Sequence, residues 1–233
     1  METPMNIAEP GGHTLKRYDK DMLKLQKRVL TMGDMVHQQL SRLQQASEAV
    51  TEDTIQEIAD AEDAIDRQEI KVDRYIVKML ARRSPVGSDL RFIVVSSRIA
   101  SDLEGLGDET AQMAKTLLDE NWRLFDCENI SALGEVAGML MLLAELFDQA
   151  MKTFEDYDYK TAKEIADGSA SAEGELEIRM NHLVERCRAS KGDVSNAVSL
   201  ALIMRSMQRG LRQVQNISKH VIYLLTATDI RHQ

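Results

Sequence analysis

Proline is nearly missing from this chain: Pro4, Pro10 and Pro85 are the only three in 233 residues, so nothing after Pro85 breaks a helix by that route. Aromatic residues are also sparse, at 4%, while Leu, Met, Ala, Glu, Lys and Arg are plentiful. Folds made of many short strands depend on turn residues and on aromatic or β-branched side chains, so this composition excludes them and favours helices. The two cysteines, Cys127 and Cys187, are far apart and form no Cys-x-x-Cys pair. That excludes a disulfide framework or zinc knuckle and fits a reducing compartment. No apolar run reaches the ~18 to 20 residues of a membrane span. The start, METPMNIAEPGGHT, lacks a basic flank followed by an apolar stretch, so a cytoplasmic location is expected. Positive charge is the minority sign: 29 Lys and Arg against 38 Asp and Glu give a net charge of -9. Nucleic acid and anionic lipid attract the opposite balance, so neither is expected as a partner.

The chain does contain helical periodicity. Leu15, Tyr18, Met22, Leu25, Val29, Met32 and Val36 recur in steps of three and four and predict a first long helix. A second stripe runs through Ile55, Ile58, Ile65, Val72, Ile76 and Met79, with Thr51 as N-cap and Ser84-Pro85-Val86-Gly87 as the stop. A third helix starts near Ser88 and carries Leu90, Val94, Ser97 and Ser101 onward to Leu118. The pattern then repeats: a fourth helix has Ile130, Leu133, Ala137, Leu140, Ala144, Phe147 and Met151, and a fifth is expected from Tyr159 to Ala189. Gly192 and Asp193 are its stop and the next N-cap, before a sixth helix with Leu200, Met204, Met207, Leu211, Val214, Val221 and Leu225. Glu57-Ile58-Ala59-Asp60 recurs as Glu164-Ile165-Ala166-Asp167. With the matching helix order, this predicts an all-α fold of two tandem three-helix bundles related by internal duplication. The expected organisation is a flexible segment over 1–13, a first bundle over 14–119 and a second over 129–229.

Carboxylates interrupt the apolar stripes. Continued from Ile55, the second stripe meets Glu62 and Glu69, with Asp66 one turn from Glu62 and Asp63 beside it; the third stripe arrives at Glu104 and Asp108. Ionised carboxylates facing a core require neutralising partners. Two Glu-x-x-x-Asp pairs on adjacent antiparallel helices, with no His or Cys nearby, suit a hard cation such as Mg, Mn or ferric iron. Their competing role is to sit on a solvated face and pair with Arg67, Lys71 and Arg74. In the second half the acids are largely lost: an offset of 107 sets Ser169 against Glu62, Glu173 against Asp66 and Leu176 against Glu69, and an offset of 104 sets Gln208 against Glu104 and Arg212 against Asp108. Any metal site therefore belongs to the first half. Arg205, Arg209 and Arg212 instead make a basic stripe on the sixth helix, available to an anion, an acidic partner, or salt bridges with Glu173, Glu175 or Glu177.

Two motifs carry a family resemblance. Arg83-Ser84-Pro85-Val86-Gly87-Ser88-Asp89-Leu90-Arg91 and Ile99-Ala100-Ser101-Asp102-Leu103-Glu104-Gly105-Leu106-Gly107-Asp108 are similar to the R-x-P-V-x-x-D-L-R and I-x-x-D-L-E-R-I-G-D core of the PhoU family of phosphate-signalling regulators. The chain resembles that family from His13 to His232, ending included. The resemblance implies two three-helix bundles, a cytoplasmic location and a homodimer. It implies an adaptor between an ATP-binding-cassette phosphate importer, through its ATPase subunit, and a sensor histidine kinase, restraining the phosphate-starvation response and phosphate uptake. It further implies metal binding by Glu62 with Asp66 and by Glu104 with Asp108, with Asp63 as an extra ligand. Two departures stand out: Gly105 replaces the family's Arg, and Gln208 and Arg212 replace both acids of the second repeat.

Three other readings compete. One is a PhoU-like metal-binding accessory protein of a different permease or regulator, and another is a purely structural helical dimer. The third is a carboxylate-bridged helical-bundle metalloenzyme, but such enzymes use Glu-x-x-His and the chain contains none. Phosphate-loop, dinucleotide and nucleophile-elbow motifs are missing too, so no catalytic residue is assigned and a non-enzymatic role is expected. His37, His182 and His220 lie outside the acidic positions, and Met139, Met141, Met204 and Met207 are core or adaptable docking surface.

Overall fold

The computed structural model describes residues 16–46, 51–118, 130–168, 171–189 and 194–228. The N-terminal segment, the connection 119–129, Gly192, Asp193 and the last five residues lie outside that set, as do the side chains of Leu15, Tyr18, Ile130 and Leu133. Among the described residues the fold is all-α, with α1 (Lys16–Ala46), α2 (Glu52–Arg83), α3 (Gly87–Leu118), α4 (Ile130–Asp156), α5 (Tyr159–Ala166), α6 (Ser171–Ala189) and α7 (Val194–Thr226). No helix there is long and apolar enough to cross a membrane.

The sequence periodicity translates directly into burial. On α1, Met22, Leu25, Val29, Met32 and Val36 are buried; on α2 the buried residues are Ile58, Ile65, Val72, Ile76 and Met79. Thr51 caps α2 by accepting a hydrogen bond from the Thr54 amide at 3.2 Å, which satisfies one of the free donors of the first turn. At the other end Ser84 takes the left-handed conformation with φ 44° and its amide donates to the Leu80 carbonyl. Helices α1, α2 and α3 pack against one another, α4 packs against α5, α6 and α7, and α3 and α7 run side by side at the centre of the molecule.

Two sequence expectations are corrected. The stripe Leu90, Val94, Ser97 and Ser101 is not the core face of α3: Leu90 and Ser101 are exposed, and the buried face is Ile93, Ile99, Leu103 and Leu106. Helix α3 is packed by α1, α2 and α7 together, so its apolar arc is wide, and the chosen stripe runs along the α2 edge of it. The expected helix Tyr159–Ala189 is two helices. Gly168 has φ 70° and its amide donates to the Ile165 carbonyl, a conformation open to glycine that ends α5. The described residues thus form seven helices, where six were expected.

The α3–α7 pair is antiparallel and partly polar. Arg209 donates to Glu109 at 3.0 Å, Asn216 donates to Asp102 at 3.3 Å, and Nε2 of buried His220 lies 3.0 Å from the same carboxylate. Glycines set the spacing: a Cβ at Gly210 would come within 2.9 Å of Leu106 and 3.2 Å of Leu143. Gly105 faces Gln213 while Glu109 faces Arg209. Adding 104 to one member of each pair and subtracting it from the other exchanges the two contacts, and it maps the Leu106–Gly210 contact onto itself. The central pair thus has the internal two-fold relation that a duplicated unit generates.

Candidate metal centre

The acidic positions assemble because Gly107 lets α2 approach α3. A Cβ there would already stand 3.2 Å from Ile65, so a larger residue would push the helices apart and separate their carboxylates. Four-residue spacing places Glu62 and Asp66 on one edge of α2, opposite Asp108 on α3. One carboxylate oxygen from each of Glu62, Asp66 and Asp108 lies within 4.8 Å of the others. Glu62 and Asp66 are half-buried and Asp108 is exposed, so the cluster sits at the mouth of the α2–α3 seam rather than in the core.

Like charge dominates this seam. Burial raises the Glu62 carboxyl above its usual range, followed by the fields of Asp66 and Asp108, a hydrogen bond with Asp108 and the field of Asp63. Asp66 is raised by burial and then by Asp108 and Asp63, against the weaker opposing effect of Arg67. Glu104 is pushed up to about 7, first by burial and then by Asp108, Glu69, Asp66 and Glu62. Each shift has the same causes, burial of the carboxyl first and then the negative charges held close to it.

The residues expected from sequence therefore divide into groups. Glu62, Asp66 and Asp108 come together as a triad, with Glu104 coupled to it through the field, half-buried and one turn away on α3. Asp63 is exposed and turns toward Arg67, with 4.0 Å between the charged atoms. Glu69 was not assigned to the site, yet burial, Asp73, Asp66 and Asp108 raise its carboxyl; the signal was its place three residues after Asp66 on the same edge. Of the arginines, Arg209 pairs with Glu109 of α3 rather than with an acid of α6, and Glu175 is held by Arg179 at 2.7 Å. Arg205 and Arg212 are exposed on α7. His37 Nδ1 lies 2.7 Å from Asp148 of α4, away from the acids.

An all-oxygen donor set fits a hard cation. Asp66 Oδ1 is buried without a hydrogen-bond partner, an acceptor that a cation would satisfy, and positive charge between α2 and α3 would relieve the repulsion that raises these carboxyls. The α2–α3 seam, including Glu62, Asp63, Asp66, Glu69, Glu104 and Asp108, falls in residues 29–117, and that stretch matches the model of the PhoU domain. The chain is PhoU-like. Its match to the phosphate-specific transport system accessory protein PhoU homolog of Pseudomonas aeruginosa is 26% identical over 220 residues, covering 94% of this chain and 90% of that one. The PhoU crystal structure from the same organism superposes with TM-score 0.78 at 23% identity, over 91% of this chain and all of that one. The phosphate transport system regulatory protein PhoU from Streptococcus pneumoniae gives TM-score 0.79 at 20% identity, over 91% of this chain and 99% of that one. The PhoU-like fold is thus carried by both halves, whereas the triad is built from α2 and α3 alone.

Proposed function

We propose that this PhoU-like chain is an accessory protein of phosphate transport. In this reading it is cytoplasmic and homodimeric and acts as the adaptor between a phosphate importer's ATPase subunit and a sensor histidine kinase, restraining the phosphate-starvation response and uptake. The observation that carries the reading is likeness over nearly the full length, in sequence and in fold, to proteins named as accessory or regulatory components of phosphate transport. Those names describe regulation rather than catalysis, in keeping with a non-enzymatic role. Residues 14–119 and 129–229 are its two structural units.

Within that role Glu62, Asp66 and Asp108 hold a hard cation, with Glu104 and Glu69 supplying further negative charge; Asp63 stands outside as an electrostatic neighbour. The cation would neutralise the seam and tie α2 to α3, fixing the surface of the first unit for its partners. Two experiments test these layers separately. Affinity capture from phosphate-replete and phosphate-starved cells should recover the importer's ATPase subunit or the kinase; recovery of neither, with a different permease enriched, would move the chain to another circuit. Calorimetric titration with Mn²⁺ should show binding that Asp66→Asn with Asp108→Asn abolishes, and undiminished binding in that folded variant would remove the metal assignment.

A further inference from the structure

The exchange by 104 residues that relates α3 to α7 also identifies an edge that a long helix flanks on α3 but that, among the described residues, no long helix flanks on α7. On α3, Ser97 donates to Asp73 of α2 at 3.4 Å and Asp108 hydrogen-bonds with Glu62 of α2, so the helical edge Val94, Ser97, Ser101, Glu104 and Asp108 is the one toward α2, with Ser101 and Asp108 still exposed. The counterparts of Val94, Ser101, Glu104 and Asp108 on α7 are Val198, Arg205, Gln208 and Arg212. In the second half the helix corresponding to α2 is broken at Gly168. Helix α5 packs on α7 through buried Ala162 and Ile165, while α6 packs on α4. Leu176 and Met180 anchor α6, and Arg179 reaches Glu135 of α4 at 3.4 Å. Among the described residues one edge of the N-terminal half of α7 is consequently uncovered, while Leu200, Ile203 and Met207 on its other side are buried: Val198 is 53% and Leu202 44% exposed, and Arg205, Gln208 and Arg212 are exposed below them.

We propose that this open face of α7 docks an acidic amphipathic helix of a partner protein, in the place that α2 takes on α3. A helix in that place has a precedent in the fold, because α2 flanks the equivalent edge of α3. Charge selects its chemistry: where α3 presents Glu104 and Asp108, α7 presents Gln208 and Arg212, with Arg205 one turn nearer the apolar end. This cationic face belongs to a chain of net charge -9. Val198 and Leu202, one turn apart, form an apolar anchor of the kind used in helix-in-groove recognition. Size argues against a small anion: Arg205 and Arg212 are seven residues apart, about 10 Å along the helix at ~1.5 Å per residue, too far for one phosphate to bridge. Nucleic acid would leave the apolar pair unused.

The inference does not rest on the metal or phosphate reading, and its failure would leave that reading intact. The probe is a fluorescein-labelled synthetic peptide with the sequence of residues 52–73, an acidic amphipathic helix, titrated with the full chain and followed by anisotropy. Saturable binding is expected, weakening as salt rises, at least tenfold weaker for R205E/R212E, and weakened also for V198S/L202S. These positions are exposed, so both variants should keep the wild-type melting curve. Absence of saturable binding overturns the proposal. So does equal binding by R205E/R212E, which would mean that the peptide enters elsewhere, for example in exchange with α2. A change of sedimentation in R205E/R212E with no change in peptide binding would assign the face to a second copy and likewise overturn it.

Discussion

Glu104 ties the state of the acidic seam to pH. With its carboxyl at about 7 against an ordinary 4.5, the folded chain holds a proton that the unfolded chain has released throughout that window. Stability must therefore fall as pH rises from about 4.5 to about 7, because folding takes up protons there. Glu62, Asp66 and Glu69 are shifted in the same direction and steepen the trend. In metal-free protein the melting temperature should drop across the window, and Glu104→Gln should flatten the slope and raise the value at its upper end; a melting temperature that climbs with pH there would contradict the account. A divalent cation competes with the same protons, so the stabilisation it gives should grow over this range, reaching ~2.7 kcal/mol at a hundredfold excess over Kd. The site was legible at this scale wherever helical geometry alone decides. Four-residue spacing puts Glu62 with Asp66 and Glu104 with Asp108. Asp63 is one residue from Glu62, which turns it about 100° round the helix and leaves it beside Arg67. Glu69 was harder to assign, since its role depends on which helix faces α2 and how closely.

Among the elements, the second counterpart of α2 behaves differently from the first. Helix α2 runs unbroken from Glu52 to Arg83, whereas the corresponding stretch stops at Ala166 and resumes at Ser171. The turn signal is present in the sequence as Asp167-Gly168, inside the stretch Tyr159–Ala189 expected as one helix. Because Gly168 occupies the left-handed region, Gly168→Ala should destabilise the chain by about 1 kcal/mol, read as a lower urea midpoint with an unchanged slope. The start of α5 is better defined: Asp158 accepts from the Lys160 and Thr161 amides at 2.9 and 3.2 Å. Helices α1 and α2 were legible because each buries one stripe, whereas α4 and α7 bury wider arcs that still include Leu140 and Phe147 of the expected α4 stripe and Met207 and Val214 of the expected α7 stripe. Helix α3 was misread in phase, since a helix packed on three sides offers more than one acceptable stripe.

For the whole molecule, the long-range lock is the α3–α7 pair. Glu109 is 9% exposed and depends on Arg209, so Arg209→Ala strands a nearly buried carboxylate and should cost about 1–3 kcal/mol. Arg212→Ala, on the exposed face of the same helix, should stay within about 0.5 kcal/mol. Chemical denaturation of the two variants side by side separates a structural arginine from a surface one, a distinction that their shared three-and-four spacing hides. The same lock has a consequence during synthesis. Helices α1 to α3 find their partners among near neighbours, but the face of α3 that carries Asp102, Gly105 and Glu109 can be covered only after α7, roughly a hundred residues later, has been made. At ~5–20 residues per second the nascent chain carries that half-polar seam bare for several seconds, and its carboxylates keep it hydrated and unattractive to neighbouring chains until the closing helix arrives.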